Sequence, residues 1–367
     1  MRLTQLLVPA AALAAAQPAF TRDADGRIAD IVREWKTFQN GTAPSADAFT
    51  LQARLGAWAW PFVSAYDYTN RSNDVMAVAY PATIATYYTT VLRAGSSYVF
   101  NGTFPDGEGV FQCSLTVYNF TGDQDETVRP RWGVDGRDVR VFVNASDQPR
   151  WALQRFYVKP ELYSREDIEA SLLEVRRDGE IVPPLAAIYR AQLSEVAEDF
   201  VSEVMGNISA YGWPRKPTEF HFNGGSTSSL FPERSHVYAV AFPVDSRSAV
   251  ITGRFNASDT FPYMDFSIGD QSTTELDDGA PFYALNRTGT EYCLEVLAPD
   301  CPKNRAVPTI KWSAGNRHPL LLARLIAYNF EEVDYRRTRT PEGSKRLLGD
   351  MYPEISFAPD CSARCPA

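Results

Sequence analysis

Residues 98–104 read Tyr-Val-Phe-Asn-Gly-Thr-Phe, and residues 110–118 read Val-Phe-Gln-Cys-Ser-Leu-Thr-Val-Tyr. In the first stretch Tyr98, Phe100, Gly102 and Phe104 alternate with Val99, Asn101 and Thr103. In the second, Phe111, Cys113, Leu115 and Val117 alternate with Gln112, Ser114 and Thr116. A period of two sends successive side chains to opposite faces, the pattern of strands with one buried face. Val139, Val141 and Val143 continue it, and Leu153 to Val158 closes the run. Turn signals at Pro105-Asp-Gly107, Thr121-Gly-Asp123 and Asp135-Gly136 separate the strands, so the block reads as antiparallel β.

A second block of strands follows at Val237–Phe242, Ala249–Phe255, Tyr263–Ile268, Tyr292–Leu297 and Leu320–Tyr328. Its order repeats that of the first. Residues 88–104 run alongside residues 238–255, which are one residue longer, with Gly102 facing Gly253 and Phe104 facing Phe255. Val110–Tyr118 matches Tyr263–Ile268, and Leu153-Gln-Arg155-Phe matches Leu322-Ala-Arg324-Leu. The shared order points to an internal duplication. Helical periodicity separates the blocks: Ser164 reads as an N-cap with Asp167 three residues on, and Pro183-Pro184 introduces a stripe from Leu185 to Val204. Two more helical stretches, Ile28–Phe38 and Asp47–Leu55, precede the first block.

The expected fold is therefore mainly β with helical segments (α+β), in two related antiparallel β-sandwich or jelly-roll domains joined by a helical connector. The expected divisions are a signal peptide at 1–16, an N-terminal helical segment at 17–65, a first sandwich at 66–163, a connector at 164–212, a second sandwich at 213–335 and a C-terminal tail at 336–367.

The chain also resembles the bacterial proteins that carry domain of unknown function 1214, often paired with 1254. The likeness lies in Tyr98-Val-Phe-Asn-Gly102, Ser114-Leu-Thr-Val-Tyr118, the strand led by Asp135-Gly136, Arg155-Phe-Tyr157, and Leu172-Leu-Glu-Val-Arg176 followed by Pro183-Pro184. It departs from them in its sequons, its cysteines and its poor match from Met264 to Gly279. The resemblance implies tandem β-sandwiches. It brings no catalytic residue, because the activity of that family is itself unknown.

Eight N-glycosylation sequons stand at Asn40, Asn70, Asn101, Asn119, Asn144, Asn207, Asn256 and Asn286. Thirteen Asn in this composition would yield about two by chance, so the excess indicates a eukaryotic secretory route. Arg2, the apolar run Leu6–Ala16 and the small residues Ala14-Ala15-Ala16 read as a signal peptide. Secretion or a secretory-pathway lumen is the expected location, with no membrane span. The net charge of −9 disfavours nucleic acid as a partner. Of the five cysteines, Cys113 reads as a buried free thiol; Cys293 with Cys301 and Cys361 with Cys365 are the expected disulfides, by proximity in sequence.

Chemistry-bearing motifs are sparse. The chain has neither a Gly-x-Ser-x-Gly elbow nor a His-Glu-x-x-His pair, and the spacing of His221, His236 and His318 is not that of metal ligands on a helix. The acidic groups are the candidates. Asp265, Glu275 and Asp278 could supply the acid and base of a polysaccharide hydrolase. Asp123, Asp125 and Glu126 could hold calcium, the one metal left open where no cofactor is otherwise expected. Both groups also fit plain solvated turns in an acidic chain. Trp58 and Trp60, within a cluster that includes Phe62, Tyr66 and Tyr68, could stack on a sugar ring or seal a core edge. The preferred reading is a non-catalytic binding or structural module, with an extracellular glycan or protein as partner. The alternative is the carboxylate-dependent hydrolase.

Overall fold

The computed structural model describes residues 60–63, 82–118, 124–128, 138–147, 150–182, 220–224, 236–243, 245–258, 261–270, 276–303, 306–326 and 341–365. The expected signal peptide, the helices before residue 56 and the Leu185–Val204 stripe lie outside the described residues. The first half contains β1 (Trp60–Val63), β2 (Ala85–Leu92), β3 (Tyr98–Thr103), β4 (Val110–Tyr118), β5 (Gln124–Val128), β6 (Asp138–Val143) and β7 (Arg150–Val158). Helix α1 (Arg165–Ala170), β8 (Glu174–Arg177) and β9 (Glu180–Val182) complete it. The second half contains β10 (His221–Gly224), β11 (His236–Ala241), β12 (Ser248–Arg254), β13 (Tyr263–Asp270), β14 (Leu276–Pro281) and β15 (Asn286–Thr288). It ends with β16 (Glu291–Leu297), β17 (Thr309–Lys311), β18 (Pro319–Ile326), α2 (Pro341–Leu348) and β19 (Glu354–Ala358).

Strand order shows the duplication directly. One sheet of the first half runs β1-β2-β7-β4-β5, and its counterpart runs β10-β11-β18-β13-β14. The second sheets are β6-β3-β8-β9 and β15-β16-β12-β19, with β17 added in parallel to β16. β3 pairs with β6 and β8, just as β12 pairs with β16 and β19. Even an irregularity repeats: the ladder between β4 and β5 shifts at Val117/Tyr118, and that between β13 and β14 shifts at Ile268/Gly269. A bulge adds one residue to one strand and changes the local twist, so its recurrence at one position marks a common plan. The whole is a mainly β, sandwich-type fold.

Two expected divisions move. Residues 164–182 were expected in the connector, but β8 and β9 hydrogen-bond into the sheet of β3. Ser164 does cap α1, in a reciprocal box with Asp167, as its spacing indicates. The C-terminal stretch, expected as a tail, supplies β19 to the second half's sheet, and Leu348 and Tyr352 are buried in the core.

Each half has its own core. Tyr98, Phe100, Cys113, Leu115, Val117, Val139, Val141, Val143 and Phe156 pack in the first. Phe220, Ile251, Phe255, Met264, Phe266, Leu294 and Leu325 pack in the second. Cys113 is the buried free thiol expected there, and burial pushes its pKa up. Phe111 departs from the simple alternation. The β4–β7 ladder shifts between Val110 and Gln112, so Phe111 is the extra residue of a bulge. It leaves the face of Cys113 and packs on Tyr263, Phe282 and Tyr283 of the second half, with ring centroids 5.2–6.0 Å away. The halves thus share a packed boundary. Gly279 belongs to it, since a Cβ there would collide with the Thr83 methyl group.

The cysteines correct the expected pairing. The bonds join Cys293 to Cys365 and Cys301 to Cys361, across 72 and 60 residues. Proximity in sequence misleads here because β12 lies between β16, which carries Cys293, and β19, which precedes Cys361. The chain beyond β19 returns over the sheet, where buried Glu295 accepts from the Cys365 backbone N–H at 3.1 Å and pairs with Arg364 at 3.2 Å. Non-reducing peptide mapping should recover these two cross-links and neither short-range pair. Replacing Cys301 and Cys361 together by Ala should cost about 2–5 kcal/mol, as expected for opening a long loop in the unfolded chain and read from a denaturation curve.

Candidate functional site

The central strands of the β1-β2-β7-β4-β5 and β10-β11-β18-β13-β14 sheets each carry one arginine at an equivalent register. Arg155 of β7 lies opposite Tyr87 of β2 and Ser114 of β4. Arg324 of β18 lies opposite Tyr238 of β11 and Asp265 of β13. Each guanidinium sits over the tyrosine beside it, 5.9 Å from the Tyr87 centroid and 5.4 Å from that of Tyr238. Strand alternation aims these side chains away from the core of their own sandwich and into the boundary between the halves. Both arginines are 3% exposed.

The partners differ where the two halves have diverged. Arg155, beside neutral Ser114, donates to Thr116 Oγ1 at 2.8 Å and to the Tyr118 hydroxyl. Arg324 has a carboxylate instead, with Nη1 3.2 Å from Asp265 Oδ2 and 3.4 Å from Oδ1. Complete burial pushes the Asp265 pKa up to about 6, with Arg324 pulling the other way. Through one nitrogen at these distances, the arginine offsets only part of the desolvation. Arg324 itself is held above the usual arginine range by Asp265 despite its burial.

His236 joins the two halves. Its Nε2–H donates to Gln112 Oε1 at 2.7 Å, 124 positions away, and its Nδ1 shares a hydrogen bond of 2.8 Å with the Tyr238 hydroxyl. The Tyr157 ring meets the imidazole edge-on at 5.0 Å, and the Tyr157 hydroxyl bonds that of Tyr87 at 2.7 Å. A polar chain therefore runs from Gln112 through His236 and Tyr238 to Arg324 and Asp265. Its members take their partners from the protein itself, which is how a buried polar contact holds two surfaces in register.

Of the acids expected to act together, Asp265 and Asp278 lie on opposite faces of their sheet. Asp265 is fully buried in the Arg324 pair. Asp278 lies opposite Ile268, whose side chain points to the other face of β13 from that of Asp265. There it accepts from the Lys311 backbone N–H at 3.0 Å and its neighbour Gly279 N–H at 2.9 Å, with Lys303 at 3.8 Å. Glu275, Asp123 and Trp58 lie outside the described residues. Asp125 and Glu126 fall on β5, at the ladder positions matching Asp277 and Asp278 on β14, and Trp60 opens β1 opposite Thr89. Among the described residues no group of three or more His, Cys, Asp or Glu side chains could hold a metal ion. The sequons at Asn101, Asn144 and Asn256 are exposed, and Asn286 falls on β15. Asn40, Asn70, Asn119 and Asn207 lie outside the described residues.

Sequence reading missed the role of Arg155, Arg324, His236 and Gln112. Its signal for the arginines was the repeated Leu-x-Arg in two strands otherwise too apolar to face water. The Gln112–His236 bond has no local signal.

No protein-family model and no curated protein matches the chain. Among solved structures, an uncharacterized protein from Burkholderia cenocepacia superposes over 92% of this chain and 95% of its own, with a TM-score of 0.50 and 10% identity. A protein from Vibrio parahaemolyticus gives a TM-score of 0.44 over 86% of this chain and all of its own, again at 10% identity. The first likeness concerns the fold alone, and it spans both halves.

The pH dependence of stability tests the site. A carboxyl with a folded pKa near 6 and an unfolded value near 4 binds its proton more readily when folded. It therefore adds stability as pH falls through that window. The wild type should gain on the order of 3 kcal/mol from this group between about pH 7 and pH 4, and D265N should lack that gain. A wild type that instead loses stability relative to D265N over the same range would show that the ion pair outweighs the burial.

Proposed function

We propose that the chain is a secreted, N-glycosylated tandem β-sandwich protein that acts as a binding or structural module, with an extracellular glycan as the ligand class. The observation that carries this reading is the separation of Asp265 and Asp278. One is locked in a buried ion pair, and the other is fixed to backbone amides on the opposite face of its sheet. An acid–base or nucleophile pair must face a common glycosidic bond across about 5–10 Å. These two do not. The exposed sequons at Asn101, Asn144 and Asn256 support the secretory route, and two disulfides suit an oxidising compartment. No helix of the described residues is long and apolar enough to cross a membrane.

Kinship with the bacterial proteins of domain of unknown function 1214 and 1254 is part of this proposal: the resemblance implies tandem β-sandwiches, and the sheet order here repeats in both halves. A binding module of this kind would engage ligand through the strand ends and edges, since the polar faces of the two large sheets are spent on each other.

The test is a glycan-array screen of protein secreted from a eukaryotic host, with release of reducing ends assayed on every binder. Binding without release is the expected result. Release that disappears in D265N, E275Q or D278N would replace the module by the carboxylate hydrolase.

A further inference from the structure

The outer face of the β6-β3-β8-β9 sheet carries a row of side chains, apolar but for Arg176, that the core does not use. Phe142 lies opposite Val99, Val99 opposite Arg176, and Arg176 opposite Ile181. Phe142 is 58% exposed and Ile181 56% exposed. Val139, Val141 and Val143 turn inward, so Phe142 faces outward by the register of its strand rather than by misplacement. The Arg140 guanidinium lies 5.2 Å from the ring centroid. Phe142 is the one aromatic among the most exposed large apolar side chains of the described residues.

Asn144 follows two residues later, exposed, in the sequon Asn144-Ala-Ser146. Its backbone is held in place: Arg150 donates to the Asn144 carbonyl at 3.3 Å, and Gly95 N–H donates to the Ser146 carbonyl at 2.7 Å. Asn144 directly follows the last residue of β6, and at an extended rise two residues span about 7 Å, close to the breadth of one pyranose ring joined to an asparagine amide. A pyranose presents axial C–H bonds on one face, and an aromatic ring presents negative charge on its own, so the two attract when stacked. The same spacing recurs at Phe38-Gln-Asn40 and Tyr68-Thr-Asn70.

We propose that Phe142 is the platform for an N-glycan on Asn144. The first N-acetylglucosamine lies on the ring, and the glycan shields the apolar row from water. This deepens the secretory reading and rests on it. The occupant is the protein's own glycan because the sequon is tethered at the edge of the row, where a free ligand would first have to be captured.

The test uses full-length protein secreted from a eukaryotic host, with glycopeptide mass spectrometry at each sequon, followed by a double-mutant cycle of Phe142→Ala and Asn144→Gln. The expected result is an occupied Asn144 and a Phe142→Ala loss of about 2 °C in midpoint that vanishes in the Asn144→Gln background. An equal loss in both backgrounds would overturn the proposal, as would coupling of Phe142 to Asn101→Gln instead. So would glycan at other sequons but none at Asn144, or concentration-dependent self-association that Phe142→Ala abolishes. Absence of glycan from every sequon would overturn the secretory reading itself, and this proposal with it.

Discussion

Two sheets here turn polar faces toward each other, and a polar group taken out of water costs free energy unless it finds a partner. That constraint organises the protein. Gln112 and His236 meet across the boundary, His236 orients Tyr238, and Tyr238 lies against the guanidinium that pairs with Asp265. Around this chain the apolar contacts of Phe111, Tyr157, Tyr263 and Phe282 exclude water. Hydrophobic burial supplies the general attraction, and the hydrogen bonds admit one register. The Asp265–Arg324 pair belongs to the second role, since a buried ion pair with this geometry recovers little of its desolvation.

Duplication explains why such a boundary exists. Each copy places an arginine on its central strand, a tyrosine beside it and a shifted ladder one strand over. The copies then diverged in chemistry. The first answers its arginine with hydroxyls from Thr116 and Tyr118, the second with a carboxylate. Only the second carries disulfides among the described residues, and they tie down a C-terminal segment that also feeds a strand into its sheet.

Much of this was legible in the amino-acid sequence, for reasons that can be stated. Period-two alternation located the strands, and the ordered recurrence of Gly102 with Gly253 and Arg155 with Arg324 exposed the duplication. Alternation did not show what covers a polar face. Gln112, Ser114 and Thr116 read like solvated positions, yet all three are buried. Nor could it show that an extra residue at Phe111 would turn one aromatic from a core into a boundary. Cysteine pairing failed for a related reason, because the partner of Cys293 is fixed by a sheet order that brings residue 365 beside it. Asp265 looked like a candidate acid because its type was visible and its burial was not. Long-range pairing decides such features, and a local pattern cannot encode it.

The Gln112–His236 contact couples the two sandwiches into one cooperative body. Native-state hydrogen exchange at the amides of β7 and β18 tests it most directly, in the wild type and in Gln112→Ala, which leaves the His236 N–H without its acceptor. One shared opening free energy is expected for both strands, lowered in both by the same amount, about 1–3 kcal/mol. Protection that falls in β7 while β18 keeps its wild-type value would contradict it, and would make the halves neighbours rather than one body.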